Sequence, residues 1–132
     1  MGTWGLGSFD NHDASDWVYD LEKARDVSLL RSTIAAVNNE KGYLEAPTCV
    51  NALAASEVVA ALMGRPAGDL PEGVVSWVAS NGKLDAKGLR PDAIAAIDRI
   101  LADSELKELW GETDDAANWQ VLVNDLRGRL ES

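Results

Sequence analysis

The chain has 132 residues, 46% of them hydrophobic and 26% charged, with 22 acidic side chains against 12 basic ones. That length fits one domain, because domains usually run to roughly 100–150 residues and can bury a core without staples. A single cysteine, Cys49, excludes an internal disulfide framework, and no run of apolar residues is long enough to predict a membrane span.

Charge is concentrated. Residues 10–26 hold six acids and two bases, and residues 103–115 hold six acids and one base, so nine of the ten excess negative charges fall in two short segments. Binding to nucleic acid needs a basic surface that displaces counterions from phosphates, and no stripe of Lys and Arg occurs, so neither nucleic acid nor membrane is an expected partner. The N-terminus lacks a basic start followed by an apolar stretch, which, with the cysteine usage, predicts a cytoplasmic protein.

Apolar spacing reads as helix almost throughout. Ala14, Trp17, Val18 and Leu21 recur at helical intervals and predict a short amphipathic first helix. A second is predicted from about residue 27 to 39, with Leu30, Ile34 and Val37 along its seam. The third, from about 46 to 63, carries Pro47 in its first turn and stops at Gly64. Between Cys49 and Met63 only Asn51, Ser56 and Glu57 are polar, which predicts a central helix enclosed by the others.

After the loop "GRPAGDLPEG", Val74, Trp77 and Val78 predict a short helix ending at "SNG", with a β-hairpin turning at Asn81-Gly82 as the alternative. Pro91 opens a helix with Ile94, Ile97 and Leu101 on one face. Ser104 is the expected cap of a short helix carrying Leu106, Leu109 and Trp110, closed by Gly111. In the last helix Thr113 is the expected cap, and Trp119, Leu122, Val123, Leu126 and Leu130 form the expected buried stripe. The fold class predicted is all-α, a single bundle of about seven short helices around an apolar one.

The opening stretch "MGTWGLGSFDNHDASDWVYDL" admits two readings. In the structural one, Asp10 or Asp13 caps the first helix, Asp16 and its neighbours answer the helix dipole, and Gly5, Gly7, Trp4 and Phe9 pack a bent arm onto the body. In the functional one, His12 and Asp16, four residues apart, join Asp10 or Asp13 to hold a divalent metal. The chain has only one histidine and the caps already account for the acids, so no metal and no cofactor is expected. Gly5-x-Gly7 is not a dinucleotide fingerprint, since Asp10 stands at the third glycine position. Cys49 has no histidine at a catalytic spacing and is expected to be an inert core thiol.

Glu57 lies among alanine, valine and leucine, where a carboxylate must find a partner or be held protonated. It is expected either to be paired or to act as a general acid or base with Glu45 nearby.

Several stretches resemble one family. "MGTWGLGSFDNHDASDWVYDL", "YLEAPTCVNALAASEVVAALMGRP" and "SELKELWGE" are similar to the N-terminal arm, the Ala-rich central helix and the C-terminal part of the domain of unknown function 4259 family, with His12 departing from the acid or amide expected at its position. The resemblance implies a compact, mostly helical bacterial protein and brings no activity, substrate or partner with it.

Two functions are consistent with these features. The first is a non-enzymatic, acidic interaction module, of the immunity-protein kind, that binds a basic protein partner. The alternative is an enzyme or small-ligand binder with a pocket between the arm and the central helix, lined by Trp4, Asp10, Asp13, Asp16, Trp17, Glu45 and Glu57. Oligomeric state is not readable from the sequence.

Overall fold

Gly64 marks the best-defined boundary in the chain. Its φ of +87° is a left-handed conformation natural to glycine, and the two amides after Met63 turn back onto the helix they leave. Gly64 N–H donates to Ala61 O at 3.0 Å and Arg65 N–H to Ala60 O at 2.8 Å, the paired bonds of a Schellman ending. The helix closed there, α3 (Ala46–Leu62), is the axis of the protein.

A computed structural model describes residues 7–131. Around α3 stand α1 (His12–Lys23), α2 (Ser28–Asn38), α4 (Glu72–Ser80), α5 (Arg90–Ala102), α6 (Glu105–Gly111) and α7 (Ala116–Glu131), with a 3-10 turn at Lys87–Leu89 before α5. Every one of these helices packs against α3. The fold is all-α, as the apolar spacing predicted, with seven α-helices and no strand among the described residues. From Cys49 to Ala61 only Asn51 escapes burial, and the five alanines among these residues let neighbouring helices approach on every side. The segment after Asn81-Gly82 forms no hairpin; it passes through the 3-10 turn into α5.

The helix ends are tied by side chains from distant parts of the chain. Glu105, the first residue of α6, accepts the Ala46 amide through Oε1 at 2.7 Å and donates its own amide to Leu44 O at 2.9 Å, so α6 supplies the missing partners at the start of α3. Arg99 of α5 donates to the carbonyls of Val37 and Glu40 at the end of α2. Trp77 Nε1 donates to Ala24 O at 3.0 Å, fixing α4 beside the exit of α1.

Three local expectations are corrected by tertiary packing. On α5 the buried residues are Ala93, Ala96, Ile97 and Ile100, while Ile94 and Leu101 are only partly covered, because α5 is contacted by α2, α3 and α7 and the face with small residues admits the closest approach. Thr113 does not cap α7. Its hydroxyl donates to Trp110 O at 2.7 Å and accepts from Asp115 N at 3.1 Å, closing the exit of α6, and it is Asp115 whose carbonyl accepts the first amide of α7, from Trp119. Leu122, expected in the buried stripe of α7, is 43% exposed, whereas Trp119, Val123, Leu126 and Leu130 are buried.

Candidate functional site

The carboxylate in the middle of α3 is the natural starting point. Glu57 is 6% exposed, and burying a charge costs several kcal/mol unless it is paired. Arg129 of α7 supplies the pair: its Nη1 lies 3.0 Å from Glu57 Oε2 and its Nη2 3.1 Å from Oε1, a two-pronged contact that matches guanidinium to carboxylate. Arg129 also donates from Nε to Asp125 Oδ2 at 2.9 Å and from Nη1 to Arg65 O at 3.1 Å. Burial disfavours its charge, but the hydrogen bonds it donates to Glu57 and then to Asp125, with the attraction of both carboxylates, outweigh that and hold its pKa above the ordinary guanidinium value. Ser8 joins the cluster, donating its hydroxyl to Glu57 Oε1 at 3.3 Å.

Over this ion pair lies a cleft of about 380 Å³, bounded by residues 7–10, the loop at 67–70, and Leu122, Asp125 and Arg129 of α7. Asp10 holds its near wall. Its Oδ2 accepts the Gly7 amide at 3.0 Å, and a Cβ on Gly7 would meet that oxygen at 2.8 Å, so a bare α-carbon is what lets the loop close so tightly.

Asp10 is therefore not the cap of α1, and neither is Asp13. Asn11 caps it: its backbone is extended and its Oδ1 accepts the Ala14 amide at 2.8 Å. With Asn11 as the cap, the positions of a hydrophobic staple fall on Asp10 and Ser15, so the polar residues there leave α1 without one. Asn11→Ala is accordingly expected to cost about 0.5–2 kcal/mol in denaturant unfolding, and Asp13→Ala, which removes only a first-turn charge, less than about 1 kcal/mol. An equal or larger loss from Asp13→Ala would reverse the assignment.

Of the candidate site residues, the structure brings together Asp10 and Glu57. Asp13 and Asp16 point outward on α1. Trp17 is buried, donating Nε1 to Thr33 Oγ1 at 3.0 Å, and borders a groove between α2 and the start of α3. Glu45 stands exposed just before α3. Twelve residues separate it from Glu57, about 18 Å along a helix axis, so the two cannot share a proton. Trp4 lies outside the described residues. No three His, Cys, Asp or Glu side chains among the described residues are grouped to hold a metal ion.

The residues that sequence reasoning missed are Ser8, Asp69, Asp125 and Arg129. A signal existed for Arg129. It flanks the apolar stripe of α7, three residues after Leu126 and one before Leu130, where a cation reaches the interior.

The two acidic segments have different fates. In the second, Glu105 caps α3 and the Tyr43 hydroxyl donates to Glu108, a bond that pushes the Tyr43 pKa up to about 12. In the first, Asp13, Asp16 and Asp20 make no ion pair or side-chain hydrogen bond with a described residue. Tyr19 stands 64% exposed on α1, one turn from Asp16.

Cys49 is fully buried, and that burial pushes its thiol up to about 11, hydrogen bonding to Ser104 and the Leu106 backbone offsetting only part of the shift. A folded pKa above the unfolded value of about 8.5 means that the neutral thiol favours the folded state below that pH and the advantage disappears as pH rises through 11. At pH 8 a disulfide-exchange reagent should label Cys49 only after denaturant is added, whereas rapid labelling of the native protein would contradict its burial.

An all-helical acidic domain, with a carboxylate-lined cleft over one buried ion pair, is the class of protein these features define. The chain matches the family model described as Domain of unknown function (DUF4259) over residues 2–121, and it belongs to that family. No curated protein and no solved structure matches it.

Proposed function

We propose that the protein is a non-enzymatic interaction module that binds a basic protein partner and holds it as an immunity protein holds its target. The observation that supports this reading is the exposed part of α1, where Asp13, Asp16 and Asp20 lie to one side of the exposed ring of Tyr19 and make no ion pair with a described residue. An exposed aromatic beside exposed carboxylates suits a basic surface, the charges steering its approach and the ring supplying contact area and a cation–π partner. Glu57, the residue best placed for acid–base chemistry, is engaged by Arg129, which favours a structural role for it over a catalytic one.

The test is kinetic. A partner co-purified at low ionic strength should associate more slowly at physiological salt, as the Debye length falls from about 30 Å at 0.01 M to about 8 Å. Replacing Asp13, Asp16 and Asp20 together by asparagine should remove most of that dependence. A salt-independent on-rate, or a partner whose contact surface is acidic, would rule the reading out.

A further inference from the structure

The face of α1 is convex and can steer a partner, but it offers no recess to fix one in register. The cleft beside Asp10 does, and it begins where the acidic segment begins. Beside the ion pair its lining is partly apolar: Phe9 and Leu70 are partly buried, and Leu122 turns out of the α7 stripe to stand 43% exposed at the opening. Its charged lining is acidic in balance, with four carboxylates and a single guanidinium. That guanidinium is already taken, since Arg129 is hydrogen-bonded to Glu57 and Asp125.

Asp10 and Asp69 make no ion pair with a described residue. Both approach the same point of the chain, lying 2.8 Å and 3.8 Å from the position a Cβ on Gly7 would take. A side chain that combines an aliphatic stem with a cationic head answers both features, the stem lying along apolar surface while the head reaches charge. A volume near 380 Å³ suits one such group and is at the small end for a free ligand.

Resting on the basic-partner reading above, we propose that this cleft is the socket for one lysine or arginine side chain of the partner. The stem lies against Phe9, Leu70 and Leu122, and the head lies between Asp10 and Asp69. Long-range attraction then belongs to α1 and register to the cleft.

The experiment is an amide-resolved NMR titration of the full chain at low ionic strength with four probes. These are N-acetyl-arginine amide, its uncharged analogue N-acetyl-norleucine amide, guanidinium chloride at millimolar concentration, and a short peptide rich in lysine and arginine. The arginine probe should give saturable shifts at residues 7–10, 68–70 and 122 that neither the stem alone nor the head alone reproduces. Asp69→Asn, at an exposed loop position where folding is not at risk, should weaken that probe roughly threefold to fivefold, the effect of losing one exposed ion pair. Leu122→Ser should weaken the arginine probe and leave guanidinium unchanged.

Guanidinium binding as tightly as the arginine probe would overturn the socket, since only a patch of charge would remain. Shifts confined to the Asp13–Asp20 face would also overturn it while leaving the basic-partner reading intact. If the basic peptide produced no saturable shift anywhere, the basic-partner reading itself would fall, and the socket with it.

Discussion

Replacing Arg129 by methionine is expected to destabilise the protein by about 3–5 kcal/mol, because it strands Glu57 as an unpaired carboxylate against the central helix. The two side chains are 18% and 7% exposed, so little water is available to resolvate the acid. The second carboxylate on Arg129, Asp125, is 64% exposed and would recover its hydration, so the cost falls on Glu57. Relief should follow from removing the acid as well. The double variant Glu57→Leu/Arg129→Met exchanges two charges for two apolar side chains of similar size and should regain most of the lost stability, since buried ion pairs often contribute no more than a well-packed apolar pair. Urea unfolding of both single variants and the double variant gives the coupling directly. A loss below about 1 kcal/mol for Arg129→Met would mean that Glu57 is solvated or protonated without its partner, and the account of the cleft floor would have to change.

That ion pair also shows where the sequence stops being legible. Glu57 is conspicuous because it interrupts a run of apolar residues, and elementary electrostatics then requires either a partner or a perturbed proton. Glu45 was the candidate within reach along the chain, but helical rise carries it three turns away, and the true partner stands 72 residues later on another helix. Helix identities were readable from period and stop signals, as with Pro47 and Gly64, because those signals are local. Cap positions were readable only to within a residue or two. Asp10, Asn11 and Asp13 are all good caps by residue type, and the tight turn at Gly7 draws Asp10 away and leaves the position to Asn11. Asp13 and Asp16 share Asp10's charge but not its place, since helical rotation turns them to solvent while Asp10 precedes the helix. Asp69 carried no signal, for nothing in a Gly- and Pro-rich loop says which part of the chain it will approach, here Gly7.

The sharpest test of the packing compares two leucines one turn apart on α7. Leu126→Ala is expected to cost about 2–5 kcal/mol, the range for deleting a fully buried leucine side chain and leaving a cavity behind. Leu122→Ala should cost less than about 1 kcal/mol, because 43% of that residue is already exposed to water and its loss opens no enclosed space. Period alone places both on one stripe, yet α7 is gripped by α3, α5 and α6, and these contacts bury Trp119, Val123, Leu126 and Leu130 while turning Leu122 toward the cleft. The two variants share chemistry, helix and propensity change, so their difference in urea midpoint isolates burial. Equal losses would put Leu122 back in the core and close the apolar wall of the cleft. A difference of at least about 1.5 kcal/mol would mean that the leucine at the opening contributes little to stability and leave it free to meet a partner.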